Sequence, residues 1–187
     1  MAKGLTPSQT IGPFFSFSLT PGNKDRIAQL AGNDLRTEDV VGEPILIEGS
    51  VTDGAGELVT DALIEIWQAD GAGKYPDRGS NTAFRGFGRA ATPGGRFAFR
   101  TVKPGATEAG APHIGVNVFA RGVLRQMVTR IYFADEPANA DDPVLKLVPE
   151  ERRTTLLARR DGSADGLRRY IFDVHLQGDD ETVFFDV

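Results

Sequence analysis

The sequence predicts an all-β chain: an antiparallel β-sandwich or barrel with an N-terminal arm and one short helix. Three observations carry that prediction. Apolar residues alternate with period two in several short runs, as they do in strands that bury one face. Glycine (22) and proline (11) punctuate nearly the whole length, which suits many short strands joined by tight turns. The 187 residues, 40% apolar and 25% charged, suffice for one domain with a buried core.

Along the chain, residues 1–40 read as the arm and residues 41–187 as the sandwich domain. The arm is apolar only in patches, from Ile11 to Leu19, with a weak helical signal near Asp25–Leu30. Its Ile-Gly-Pro-Phe-Phe-Ser-Phe stretch (11–17) carries three phenylalanines, a patch that needs cover. It packs either on its own sandwich or against another chain. In the domain, Ile45, Ile47, Gly49 and Val51 alternate with Leu46, Glu48 and Ser50, and Ala62, Ile64 and Ile66 with Leu63, Glu65 and Trp67. Phe97 and Phe99 flank Ala98; then come Ile114, Val116 and Val118, the run 128–133, and Tyr170, Phe172, Val174 and Leu176. Glycine and proline mark turns at 53–56, 93–95 and 103–105. The exception is the segment 149–160. Pro149 suits a first helical position, Glu150 and Glu151 complement a helix N-terminus, and Arg159 and Arg160 its C-terminus. That pattern predicts a helix over about 149–159.

Composition excludes several functions. A net charge of −5 without a basic cluster makes a poor nucleic-acid ligand. The absence of cysteine removes disulfides, zinc–thiolate sites, iron–sulfur clusters and thiol nucleophiles, and suits a reducing compartment. No run approaches the ~20 apolar residues of a membrane span, and MAKGLTPSQT lacks the apolar centre of a signal peptide. The expectation is a soluble cytoplasmic protein. There is no Gly-x-Ser-x-Gly or P-loop, and no helical pattern follows Gly86-Phe-Gly88. Only two histidines exist: His113 opens the run 113–120 and His175 lies in the last strand. Residues i and i+2 of a strand share a face, so His-x-His clamps a metal well. Here the second position is Gly115, and a lone strand histidine is more often a hydrogen-bonded structural residue. Composition and spacing stop at a β-sandwich without a complete active site.

A longer series of motifs says more. Ile47 to Asp53 reads Ile-x-Gly-x-Val-x-Asp, and Ile64-Glu-Ile-Trp-Gln-Ala-Asp70, Gly73-Lys-Tyr75 and Phe87-Gly-Arg89 follow. Then come Phe99-Arg-Thr-Val-Lys-Pro-Gly105, Ala111-Pro-His113, Phe119-Ala-Arg-Gly122 and Arg130-Ile-Tyr-Phe133. From about Thr6 to the C-terminus this string resembles the intradiol ring-cleaving dioxygenases of the protocatechuate 3,4-dioxygenase group. The resemblance implies that family's β-sandwich and its chemistry at a mononuclear Fe(III) held by two tyrosines and two histidines. Tyr75 matches the first tyrosine and His113 the first histidine; the second tyrosine falls on Thr107 and the second histidine on Gly115. Two ligand positions thus lack the family's donor. The expectation is a chain with no metal and no catalytic residue of its own.

The group is built from two homologous chains, of which only the β type keeps all four ligands. Thr6-Pro-Ser-Gln-Thr10-x-Gly12-Pro13 and Glu181-Thr-Val-Phe-Phe-Asp186 resemble the α type. This implies a large αβ oligomer with Fe(III) in the β partner, the arm buried on that neighbour, and activity only in the pair. In that pair, the resemblance implies, the catechol diol would chelate the β iron, O2 would attack the ring, and cleavage between the hydroxyl-bearing carbons would give 3-carboxy-cis,cis-muconate. The α chain would line the partner's pocket with Thr10, Gly12, Pro13 and Phe14, the Gly-Pro pair giving a rigid surface of low bulk. Phe14 stands where the family has tyrosine. Arg121 would face the substrate carboxylate, unless it is an ordinary surface arginine; Arg130, mid-strand, reads as one half of a structural ion pair. Two other readings stay open. One is an autonomous metal enzyme using Tyr75 and His113 with further ligands. The other is a free-standing β-sandwich binding protein whose arm folds on itself.

Overall fold

The computed structural model describes residues 4, 7–12, 15, 19–20, 31–77 and 83–186. The weak helix near Asp25–Leu30 and the wall residues Pro13 and Phe14 lie outside the described residues. Among these there are nine strands: β1 (Pro44–Thr52), β2 (Leu63–Gln68), β3 (Phe87–Ala91), β4 (Arg96–Val102), β5 (His113–Phe119), β6 (Met127–Phe133), β7 (Leu157–Ala164), β8 (Leu167–Ile171) and β9 (Val174–His175). They follow one hydrogen-bonded path, β3-β2-β5-β6-β7-β8-β1-β4, with β9 beside β1. The path doubles back on itself, β7 forming the bend by pairing with β6 at its start and with β8 thereafter. Most pairs are antiparallel, as expected. The β1–β8, β1–β9 and β6–β7 pairs are parallel, a detail that side-chain alternation cannot carry.

The period-two pattern does what it predicts. Ile45, Ile47, Phe97 and Phe99 from one layer meet Ile64, Ile66, Ile114, Val116 and Ile131 from the other in one buried cluster. Each fully buried aliphatic or aromatic side chain contributes about 1.5–3 kcal/mol, so this cluster dominates the stability. Residues 33–35, part of the arm by sequence, lie along β4 of their own chain. Leu35 N–H donates to Arg100 O at 2.8 Å, Arg100 N–H to Asn33 O at 2.8 Å, and the Leu35 side chain enters the core.

The helix expected over 149–159 is present in a shorter and tighter form, a 3-10 helix over Glu150–Leu156 with Pro149 as its N-cap. Leu157 opens β7, so Arg159 and Arg160 belong to a strand. Together with two shorter 3-10 turns, Pro137–Asp141 and Leu145–Leu147, this segment covers the outer face of β6. Leu145, Val148 and Leu156 there bury Tyr132 and Ala111 in a second cluster. Among the described residues no helix is long and apolar enough to cross a membrane.

Candidate functional site

Strand alternation places the site. In β5, Ile114, Val116 and Val118 point into the core, which leaves His113, Gly115 and Asn117 on the outer face. Register then aligns three strands: Trp67 of β2 lies opposite Gly115, and Gly115 opposite Arg130 of β6. His113 lies opposite Tyr132 in the next rank on that face. Gly115 has no side chain, so the middle of the rank is open. Above it lies a cavity of about 460 Å³, lined among others by Trp67, Tyr75, His113, Gly115 and Arg130.

Tyr75 reaches this cavity from the loop after β2. Asp70 shapes that loop, its Oδ1 accepting from the N–H of Ala72 at 2.9 Å and of Lys74 at 3.0 Å. Gly73 turns it at φ 76°, and a Cβ there would sit 2.0 Å from Ala106 O, so no larger residue fits. The Tyr75 ring stacks on Trp67 with centroids 5.6 Å apart and planes 18° apart. Burial raises the Tyr75 pKa above the ordinary 10.0, and the Arg130 charge offsets part of that. The phenol is therefore held neutral.

His113 is nearly enclosed. Its Nδ1 lies 2.7 Å from Ala111 O, and a carbonyl only accepts, so Nδ1 carries the proton and Nε2 keeps its lone pair. Burial is the main cause of a pKa below the ordinary 6.5, and Arg130 pushes the same way; the Ala111 carbonyl and Asp142 oppose them. Asp142 is buried and fully engaged. It accepts from Tyr132 OH at 3.0 Å and from the N–H groups of Val144, Leu145 and Ala111.

Arg130 does not form the ion pair its mid-strand position suggested. Among the described residues its one hydrogen bond runs from Nη1 to Tyr132 OH at 3.2 Å, and its guanidinium lines the cavity. Its place was readable in principle, because Ile131 and Phe133 point inward and so turn Arg130 and Tyr132 to the site face. Trp67, which the sequence placed in a motif and on the outer face of a strand but not in a site, is the other residue it missed.

Thr107 is not on the cavity lining. It closes a tight turn with Gly110 through two backbone hydrogen bonds, and its hydroxyl accepts from Ala109 N–H at 3.1 Å. Of the four positions singled out by sequence, the structure therefore gathers Tyr75, His113 and Gly115 and leaves Thr107 apart. Among the described residues no group of three or more His, Cys, Asp or Glu is placed to hold a metal ion.

Of the expected pocket-wall residues, Thr10 and Arg121 lie near each other, away from this cavity. Thr10 Oγ1 accepts from Gly122 N–H at 2.9 Å, which sets the arm beside Arg121, past the far end of β5. With about 3.4 Å per residue, that end lies roughly 20 Å from His113. Gln9 and Ile11 line a shallow cavity of about 160 Å³ there with Phe119 and Val123. Gly12 is exposed. The Arg121 side chain is 59% exposed and pairs through Nε with the Asp61 carboxylate.

Residues 11–178 match the Dioxygenase family. The chain is 47% identical to the protocatechuate 3,4-dioxygenase alpha chain of Burkholderia cepacia, across 97% of each. It is 34% identical to the beta chain from the same organism, across 82% of this chain and 72% of that one. A solved dioxygenase domain, from a dioxygenase–carbohydrate-binding fusion of Streptomyces sp. SirexAA-E, superposes with a TM-score of 0.63 at 32% identity, covering 79% of this chain and 88% of that one. On sandwich topology, motif order and the extent of these matches, the chain belongs to the intradiol dioxygenases, a family of iron-dependent oxidoreductases.

Proposed function

We propose that this chain is the α-type subunit of a heteromeric protocatechuate 3,4-dioxygenase, active only beside a β-type partner that holds the Fe(III). The donor set at the cavity over Gly115 carries the reading. Tyr75 and His113 are two donors where the family uses four, Gly115 supplies none, and Thr107 spends its hydroxyl in its own turn. The guanidinium of Arg130 lines the same cavity, a cation where a trivalent metal would have to sit. Losing one outer-shell partner already costs about 10–100-fold in metal affinity, and losing two direct donors costs more. These residues do not fit a ferric ion, so ring cleavage is assigned to the partner.

The α-type role is supported by similarity to an alpha chain along nearly the whole length. It is supported too by Thr10 and Arg121 standing together at the far end of β5, away from the Gly115 cavity. In this reading the arm with Thr10, Gly12, Pro13 and Phe14 packs on the partner and walls its pocket. Arg121 exchanges Asp61 for the substrate carboxylate.

The test measures iron content and protocatechuate-dependent O2 uptake for this chain alone and co-purified with a β-type chain. The expected result is an iron-free, inactive single chain and an iron-loaded, active pair. About one iron and ring cleavage from the single chain would overturn the reading in favour of an autonomous enzyme. A monomer that never co-purifies would favour a free-standing binding protein.

A further inference from the structure

We propose that the cavity over Gly115 binds a small planar organic anion, an aromatic monocarboxylate, on this chain itself. The inference rests on the reading that this chain holds no iron, and it assigns the space a different use. The volume of about 460 Å³ falls in the range that encloses small organic ligands. Its floor is bare backbone at Gly115, flanked by Trp67 on one side and Arg130 on the other. A flat ring fits such a slot, because Gly115 raises no side chain between Trp67 and Arg130.

The walls have the chemistry for it. Trp67 and Tyr75 are stacked on each other yet remain 43% and 38% exposed, an apolar surface left open among the described residues. Val128, Val144 and Phe185 extend the apolar lining. An aromatic ligand would bury that surface and gain ring–ring contact.

Charge then selects an anion. A guanidinium has five N–H donors, and among the described residues Arg130 spends one, on the neutral hydroxyl of Tyr132. The carboxylates nearby are committed elsewhere. Asp142 accepts four hydrogen bonds, one of them from Tyr132, while Asp186, on the cavity lining, is 92% exposed to solvent and pairs with Arg125 at 3.5 Å. Arg130 is thus a cation on an apolar-walled cavity with its planar fork available, the geometry that carboxylates meet in pairs of hydrogen bonds. His113, neutral with Nε2 as an acceptor, adds no competing positive charge.

Trp67 is the only tryptophan of the chain, so its fluorescence reports the site directly. The experiment titrates the isolated full-length chain with benzoate and, in parallel, with benzyl alcohol, its uncharged analogue, after iron has been assayed on the same sample. Benzoate is expected to quench Trp67 saturably and to bind at least tenfold tighter than benzyl alcohol. Arg130→Gln should collapse that preference to less than threefold, and Gly115→Leu should abolish both titrations by filling the floor. Should Arg130→Gln fail to fold, the preference of the unmodified chain decides. Equal affinity for the two probes, or no saturable quench in an iron-free chain, would overturn this inference alone. A sample carrying about one iron per chain would instead overturn the two-donor reading and this inference with it.

Discussion

Enclosed between Tyr132 and the backbone of Ala111, His113 keeps its neutral form because burial penalises the imidazolium and Arg130 repels it. The unfolded chain has no such penalty, so its histidine titrates near 6.5. Between that value and the lower folded one, the unfolded state binds more protons. His113 therefore contributes stability in full above about pH 7.5 and loses it as pH falls through 6.5. The urea midpoint is expected to drop between pH 7.5 and 5.5, and His113→Asn, which keeps a donor for Ala111 O, should flatten that drop. A slope unchanged in the variant would place the sensitivity elsewhere. At this scale the sequence was informative wherever a motif fixed a position, as with Tyr75, His113 and Gly115. Arg130 escaped because the same residue type serves an ion pair or a binding site equally well, and only register showed that it faces Gly115 with no carboxylate partner among the described residues.

Two strand glycines separate close packing from open space. In β1, a Cβ on Gly49 would fall 1.8 Å from Phe172 O and 2.8 Å from the Phe97 ring. The backbone before β9 crosses there, held by Phe172 N–H donating to Glu48 O at 2.8 Å. Gly49→Ala must push that crossing away, at an expected cost of about 2–3 kcal/mol. On Gly115 of β5 the nearest atom is Trp67 O at 3.4 Å, an ordinary contact. Gly115→Ala should be neutral or stabilise by about 0.5 kcal/mol, since a strand interior favours alanine over glycine. Urea denaturation of the two variants compares them directly, and similar losses would mean that Gly115 also carries a close approach. The strands with one buried face were legible in the same way, from alternation. β7 was not, because of its eight residues only Ala158 is buried, so no alternation marks it. The 3-10 helix kept the charge pattern of an α-helix, because acids favour either kind of N-terminus. It stops at Leu156, whose side chain must reach the cluster around Tyr132 just as the chain turns into β7.

Across the whole molecule, β5 separates two groups of residues that the sequence could not place relative to each other. Its first residues face the Gly115 cavity, whereas its last lead into Arg121 and the arm contact at Thr10. Among the described arm residues, 7–10 and Gly12 are exposed, Ile11, Phe15 and Leu19 are half-buried, and Leu35 enters the core of this chain. Arg121 offers the sharpest test of that arrangement. Its ion pair with Asp61 is solvent-exposed, and such pairs are worth at most about 1 kcal/mol. Arg121→Ala should therefore leave the fold and the assembly of the pair essentially intact. A charge-assisted hydrogen bond to a substrate carboxylate is worth about 1.5–3 kcal/mol. Losing it should raise KM for protocatechuate in the co-purified pair by about tenfold or more, with kcat within about threefold. Catechol, which lacks the carboxylate, should be turned over by wild-type and variant pairs with the same kcat/KM. If both substrates lose equally, Arg121 acts on the shape of the interface; if neither changes, it is a surface arginine held by Asp61.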